Sequence, residues 1–152
     1  MQNTEKADLL DGLDLFRGFA YGELKIISRF LSFETKEAGE VIFSEGDPGT
    51  FMLILVEGRV SVFKGGENGK HLLSYEGRGR FLGEMALLDR ELRSATCITE
   101  TECKILTLDR SALDRMEDEC PRLAYRFTLC LAQLLSRRLR KTSGMLVEYL
   151  VC

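Results

Sequence analysis

Short apolar runs separated by glycine-containing turns fill the middle of this 152-residue chain, and they restrict the possible folds more than any other feature. Between residues 33 and 108 these runs are "EVIF", "FMLILV", "RVSVF", "HLLSY", "SATCIT" and "CKILTL". Short strands at such regular spacing are typical of a compact antiparallel fold. "GGENGK" puts Asn68-Gly69 between two of the runs and indicates a hairpin, because both residues tolerate positive φ. We therefore predict an antiparallel jelly-roll β-barrel.

Helical spacing precedes this β segment. Residues 5–32 contain "YGELKIISRFL", in which apolar residues recur at intervals of three and four. The four residues that define this spacing are Leu24, Ile27, Phe30 and Leu31. The pattern predicts an N-terminal helical segment that ends where the strands begin.

A second helical region is predicted over residues 109–152. Asp109 is a candidate helix cap, and Pro121 breaks the pattern before a long helical stretch. No linker, repeat or low-complexity segment separates the three regions. The chain is therefore expected to form a single domain, residues 1–152, mainly β with flanking helices.

Composition excludes several classes of protein. The net charge of -3 gives no general attraction to nucleic acid. The longest apolar run, residues 51–56, is too short to cross a bilayer. The polar, acidic "MQNTEKADLLDG" lacks the apolar core of a secretory signal. These features predict a cytoplasmic protein with no membrane partner.

Cysteine and histidine usage argues against metal chemistry and enzymatic catalysis. The five cysteines are odd in number and contain no CxxC pair, so a disulfide framework is not expected. His71 is the only histidine, which leaves neither zinc spacing nor the usual general base for a nucleophile. Cys97 and Cys103 are predicted to be small buried strand residues, and His71 to lie on the surface beside a turn. We predict no cofactor and no enzyme activity.

The stretch "FLGEMALLDRELRSAT", residues 81–96, carries the strongest functional signal. Gly83 lets backbone approach a ligand, and the next five residues suffice for one or two helical turns with free N–H groups at their start. Arg93 can give paired charged hydrogen bonds to phosphate, and Ser94 supplies a hydroxyl. The pattern therefore indicates an anion site.

Glu84 does not suit a simple anion site, because a carboxylate repels phosphate unless hydroxyls and a cation balance it. A ligand that joins a phosphate to a neighbouring sugar hydroxyl would satisfy both Glu84 and Arg93. The alternative is an exposed, weak ion pair between these two residues on a loop. Their spacing alone leaves both interpretations open.

The same stretch resembles the phosphate-binding cassette of cyclic nucleotide-binding domains, and the resemblance extends over roughly residues 12–150. It is also carried by "GEVIFSEGDPGTFMLILVEGRVSVF" and "LDLFRGFAYGELKIISRFL". The resemblance implies that Glu84 accepts a hydrogen bond from the ribose 2′-hydroxyl and that Arg93 and Ser94 hold the cyclic phosphate. The remaining cassette positions that it assigns to the ligand site are Gly83, Met85, Ala86 and Ala95.

A seam of mostly apolar residues follows the C-terminal helix. Its members, spaced by three and four, are Leu131, Leu135, Leu139, Thr142, Leu146 and Tyr149. The threonine hydroxyl can simply bond back to its own helix. "RRLRKTSG" nevertheless resembles the dimerisation helix of the catabolite-activator group of bacterial regulators. That likeness implies a homodimer through residues 122–150, with Thr142 and Ser143 touching adenine.

The resemblance implies a regulatory sensor that binds cyclic AMP, with cyclic GMP possible, and that signals through its C-terminal helix to an unidentified effector protein. Regulators of this group continue into a helix-turn-helix module, whereas this sequence stops at Cys152. Direct DNA binding is therefore not expected. The alternative is a ligand-free structural or assembly module that retains the fold.

Overall fold

The computed structural model describes residues 1–151, with the side chains of Tyr149 and Val151 left out of the description. The chain forms two compact units, Met1–Arg115 and Met116–Cys152. The helices are α1 (Asn3–Leu10), α2 (Tyr21–Ser28), α3 (Glu84–Asp89), α4 (Arg110–Glu119) and α5 (Pro121–Val151), with a short 3-10 turn at Asp14–Phe16. The single-domain organisation over residues 1–152 stays a prediction.

Eight strands form two four-stranded antiparallel sheets. The strands are β1 (Ser32–Lys36), β2 (Val41–Phe43), β3 (Phe51–Glu57), β4 (Val60–Gly66), β5 (Gly69–Glu76), β6 (Phe81–Leu82), β7 (Thr96–Thr99) and β8 (Cys103–Asp109). One sheet has the order β1-β8-β3-β6 and the other β2-β7-β4-β5. The antiparallel jelly-roll fold with flanking helices is confirmed.

The predicted closure into a barrel is wrong, because the two sheets remain separate. Strand β6 is an edge strand that pairs with β3 at only two positions. Gly83 then turns the chain into α3, and among the described strands no ladder joins β6 to the other sheet. The site described below lies at this open edge.

Strand β3 supplies much of the apolar centre of the first unit, since its side chains from Met52 to Val56 are apolar and buried. A core cluster joins both sheets and contains Leu53, Leu55, Val60, Cys97, Cys103 and Ile105. Burying each aliphatic side chain of this size stabilises the fold by about 1.5–3 kcal/mol. The prediction that the two strand cysteines are buried is confirmed.

The predicted hairpin joins β4 to β5. Gly66 pairs with Gly69, which leaves Glu67 and Asn68 as the two central residues of the turn. Gly69 has φ +97°, whereas Asn68 is not among the described residues with positive φ. The turn is therefore centred one residue earlier than the Asn-Gly pair suggests. His71 on β5 is exposed beside the turn, as predicted.

The N-terminal helical segment is confirmed, with different limits. Helix α2 ends at Ser28, before the predicted helix residues Phe30 and Leu31, although both are buried. The chain leaves the helix in a tight turn, because the amide of Phe30 donates to the carbonyl of Ile27. The apolar spacing thus identified buried residues correctly but extended the helix too far.

The C-terminal helices begin where the sequence indicates. Asp109 caps α4, since its Oδ1 accepts a hydrogen bond from the amide of Ala112 at 2.7 Å, and α5 begins at Pro121. Within the predicted seam, Leu131 is buried, Leu135 is half-buried, and Leu139, Thr142 and Leu146 are exposed. Tyr149, the last seam residue, has a side chain outside the described part. None of the described helices combines the length and apolar character that a membrane crossing needs.

Candidate functional site

A sharp turn at Gly83 starts the site. Gly83 has φ +78° and precedes α3, the short helix predicted after it. A Cβ at this position would overlap Nη1 of Arg93 and lie 3.2 Å from the carbonyl oxygen of Phe51. A glycine is therefore required by the close approach of Arg93 and β3, whether or not a ligand is present.

Arg93 lies inside the molecule, with only 3% of its surface exposed. Its Nη1 donates to the carbonyl oxygen of Gly83 at 3.0 Å, and its Nη2 donates to that of Phe51 at 2.5 Å. The guanidinium also stands 4.2 Å from the ring centroid of Phe43 and 4.7 Å from that of Phe51. These contacts hold the cation from several directions and fix its orientation.

The third nitrogen of the Arg93 guanidinium, Nε, differs from the other two. This nitrogen is buried and, within the described residues, has no hydrogen-bond partner. Burial lowers the pKa of Arg93, while Cys97, Asp47 and Glu84 act in the opposite direction. A buried cation with an unpaired donor is costly unless an anion or another acceptor reaches it. The arrangement is suited to an anionic ligand.

The backbone around Arg93 is anchored by the loop that follows β2. The amide of Arg93 donates to the carbonyl of Asp47 at 2.8 Å, and the amide of Gly46 donates to the carbonyl of Arg93 at 2.9 Å. The amide of Glu45 donates to Oγ1 of Thr96 at 2.9 Å. Three hydrogen bonds thus position the segment that carries Arg93 and Ser94.

Glu84, the first residue of α3, is 4% exposed. Because both Glu84 and Arg93 are buried, the alternative of a weak surface ion pair does not describe them. Glu84 is also one of the charges that raise the pKa of Arg93 against the effect of burial, so the two groups interact electrostatically. A buried carboxylate beside a buried guanidinium supplies an acceptor and a cation in one place.

The other predicted cassette residues differ in exposure. Ala86 and Ala95 are buried, whereas Met85 and Ser94 are exposed. Thr142 and Ser143 lie on α5 in the second unit, and both are exposed. The structure thus brings Gly83, Glu84 and Arg93 together, while contact of either α5 residue with the ligand remains a prediction.

Sequence reasoning missed Arg110, the first residue of α4. Its Nη2 donates to the carbonyl oxygens of Gly49 and Ala86 at 3.1 and 2.9 Å. A Cβ on Gly49 would overlap that of Ala86, so the loop and α3 are in close contact. Arg110 therefore joins α3 to the start of α4. No spacing rule signals this link, because its partners are backbone carbonyls.

The two-sheet fold with a buried acid and arginine at its open edge defines a small-ligand-binding domain. The family model for the cyclic nucleotide-binding domain matches residues 33–120, and the chain belongs to this family. Sequence analysis had identified the same resemblance, which is now confirmed.

Two relatives show the range of proteins in which similar sequences occur. The chain is 26% identical over 142 residues to a CRP-like cAMP-activated global transcriptional regulator of Mycobacterium tuberculosis, covering 93% of this chain and 62% of the regulator. It is 39% identical over 90 residues to a cAMP-dependent protein kinase regulatory subunit of Hypocrea atroviridis, covering 59% and 19% respectively. The chain therefore spans less than two thirds of the length of either relative.

A solved structure agrees with the fold over nearly the whole chain. The cyclic nucleotide-binding domain from Methylobacillus flagellatus KT superposes with a TM-score of 0.84 at 26% identity. The match covers 95% of this chain and 82% of the other. The arrangement of strands and helices is thus that of the family.

Proposed function

We propose that this protein is a regulatory sensor that binds a cyclic nucleotide, with cyclic AMP as the preferred ligand and cyclic GMP as a possible one. The observation that carries the proposal is the buried guanidinium of Arg93, which two carbonyls orient and which interacts electrostatically with the buried Glu84. Among the residues that the structure describes, its Nε has no hydrogen-bond partner. A cyclic phosphate next to a ribose hydroxyl supplies an anion for the first residue and a donor for the second. Both relatives named above are described by their response to, or dependence on, cAMP.

Each cassette residue has a role in this proposal. Arg93 gives charge-assisted hydrogen bonds to the cyclic phosphate, and the exposed hydroxyl of Ser94 adds a neutral one. Glu84 accepts from the ribose 2′-hydroxyl, and backbone amides from Gly83 to Ala86 complete the phosphate contacts. The chain acts by binding and conformational change, with no catalytic step.

Signalling is proposed to pass to the C-terminal helices. Arg110 supports this route, because it bonds to Ala86 in the cassette and is itself the first residue of α4. A ligand that favours one position of α3 would then favour one position of α4, limited by its differential affinity for the two states. The receiver is an effector protein or a further domain.

Calorimetric titration of the full chain with cyclic AMP, cyclic GMP and AMP tests the binding proposal. Cyclic AMP should bind more tightly than AMP, whose open phosphate carries extra charge and lacks the ring that places the 2′-hydroxyl beside Glu84. Arg93→Lys should weaken both cyclic nucleotides by at least about tenfold, because lysine loses the fork geometry. Arg59→Lys is the control and should leave the affinity unchanged. Arg59 also stacks on an aromatic ring, with its guanidinium 4.0 Å from the ring centroid of Tyr75, but it lies in the turn between β3 and β4, outside the cassette.

Failure of both cyclic nucleotides to bind would instead favour the alternative of a ligand-free structural or assembly module. Equal affinity for cyclic AMP and AMP would also contradict the proposal, since the site would then read only a phosphate.

A homodimer through α5 is part of the same proposal. Leu139 and Leu146 on the seam are 67% and 56% exposed in the single chain. An apolar stripe of this kind usually marks an interface, and spacing by three and four suits a second helix. Light scattering should give about twice the 17.2 kDa of one chain.

The double change Leu139→Lys with Leu146→Lys should yield a monomer. Gln133→Lys adds one of the same charges on the opposite face of α5 and should leave the dimer intact. A dimer that survives the double change would place the interface elsewhere.

A further inference from the structure

Lys64 lies at the rim of the cassette, where the pairing of β4 with β7 stops. The last paired residues of these strands are Phe63 and Thr96. Beyond them the side chain of Lys64 continues the connection, since its Nζ donates to the carbonyl oxygen of Ser94 at 2.7 Å. A flexible cation is thus held against the residue that follows Arg93.

A carboxylate accompanies this lysine. Oε1 of Glu45 is 3.7 Å from Nζ of Lys64, and Oε2 of Glu45 accepts a hydrogen bond from the amide of Gly65 at 2.8 Å. The side chains of Lys64 and Glu45 are 51% and 36% exposed. Such a pair is too solvated to contribute much to folding stability. The position of the pair beside the cassette therefore points to an effect on ligand binding more than to an effect on stability.

An ammonium group has three donors. In the described part of the chain, the acceptors recorded for Lys64 are the Ser94 carbonyl and the Glu45 carboxylate. One donor direction is therefore left for a further acceptor. Because Ser94 directly follows Arg93, the hydrogen bond to Ser94 holds this ammonium group against the segment that carries Arg93.

We propose that Lys64 is a second cation of the ligand site, which adds to the attraction of Arg93 for the nucleotide phosphate, and that Glu45 attenuates this attraction. The proposal rests on the function proposed above and adds an affinity-determining residue outside the cassette. Lys64 acts on the anionic part of the ligand. Its effect therefore depends on salt, whereas a merely structural tie between β4 and Ser94 would not.

The test is calorimetric titration with cyclic AMP and cyclic GMP at low and high salt. Lys64→Met should weaken both ligands by about two- to fivefold at low salt, the range typical of an exposed charge pair. The loss should shrink at high salt, and Lys64→Arg should restore binding. Glu45→Gln should strengthen binding up to about twofold, because the amide oxygen still accepts from Gly65 while the opposing charge is gone.

Lys36→Met is the matched control. Lys36 pairs with Glu34 at 3.4 Å on β1, which lies at the opposite edge from β6 in the same sheet. Its loss changes the net charge by the same amount. It should leave affinity and salt dependence unchanged. Lys64→Met that binds like the parent, or that loses affinity equally at both salt concentrations, would overturn the proposal. A parent that binds neither nucleotide would overturn the proposed function itself, which is a different result.

Discussion

Arg93 contacts Phe51 twice, once through the backbone and once through the ring. Its Nη2 donates to the Phe51 carbonyl oxygen at 2.5 Å, and the guanidinium lies 4.7 Å from the ring centroid of the same residue. Phe51 begins β3, whose next five residues are buried in the core. The arginine proposed to bind phosphate is thereby attached to a strand that is buried along most of its length, which reduces the reorganisation that binding requires.

Arg93→Ala should therefore affect both stability and binding. The side chain is buried and donates to two carbonyl oxygens, so it supports the fold as well as the proposed site. Removing the donors from buried carbonyls costs about 1–3 kcal/mol of the free energy of unfolding. Loss of one side of a desolvated charge pair should weaken cyclic nucleotides by at least about 30-fold.

Urea denaturation and calorimetry measure the two effects of Arg93→Ala separately. An unchanged urea midpoint would show that the contacts with Gly83 and Phe51 contribute nothing to stability. Binding within threefold of the parent would remove Arg93 from the ligand site.

Gly83→Ala tests the turn at Gly83, which leaves space for the guanidinium of Arg93. The positive φ costs about 1–2 kcal/mol for a residue with a Cβ, and the new methyl overlaps the guanidinium. We expect a lower free energy of unfolding together with weaker nucleotide binding. Gly22→Ala on α2 is the control, because a Cβ there meets nothing within 4 Å, and alanine should stabilise the helix by about 0.5–1 kcal/mol. Equal effects of the two substitutions on stability would contradict the role given to Gly83.

The sequence predicted the strands, the short helix after Gly83 and the pairing of an acid with an arginine, because each follows from local pattern. It did not predict that Phe43 and Phe51 enclose Arg93, since the two aromatics lie far from it in the chain and meet it only in the folded sheets. The prediction that the sheets close into a barrel was wrong for a similar reason. Short strands indicate an antiparallel fold, but the two-residue β6 decides whether the sheets join.

Glu84→Gln tests the proposed ribose contact with a modified ligand. A hydrogen bond to a charged group contributes about 1.5–3 kcal/mol, so the parent should prefer cyclic AMP over 2′-deoxy cyclic AMP by at least about tenfold. The neutral glutamine should reduce this preference. Arg93→Lys should weaken both ligands in proportion and leave their ratio unchanged. A parent that does not distinguish the two ligands would exclude Glu84 as the partner of the 2′-hydroxyl.

The buried cysteines should be chemically inert in the folded protein. Burial raises the pKa of Cys97 to about 12, so the reactive thiolate is scarce at pH 8. Iodoacetamide followed by mass spectrometry should label the half-buried Cys120 and Cys130 well before Cys97 and Cys103. Rapid labelling of Cys97 at pH 8 would show that the sheets open readily.

The raised pKa of Cys97 also makes stability depend on pH. Because the folded pKa of Cys97 lies above its ordinary value of 9.0, its contribution to the free energy of unfolding is complete below pH 9 and is lost as the pH rises towards 12.

Thr142 and Ser143 provide the test of base recognition. Both are exposed on α5. If each hydroxyl forms a hydrogen bond with the adenine edge, each bond contributes about 0.5–1.5 kcal/mol to the binding free energy. Thr142→Ala should then weaken the binding of cyclic AMP up to about tenfold. Cyclic GMP should be affected less, because guanine presents a carbonyl where adenine presents an amino group. The double change with Ser143→Ala should reduce the preference for cyclic AMP, whereas Arg93→Lys should weaken both nucleotides together. Alanine is a good helix former, so α5 itself should persist.

Ser136→Ala is the matched control for these two positions, since Ser136 is another exposed hydroxyl residue on α5. It should change neither affinity nor preference. A double variant of Thr142 and Ser143 that keeps the full preference for cyclic AMP would assign the two hydroxyls to their own helix. The adenine contact would then have to come from another part of the protein, while the phosphate and ribose contacts of Arg93 and Glu84 would be unaffected, because those depend on the first compact unit alone.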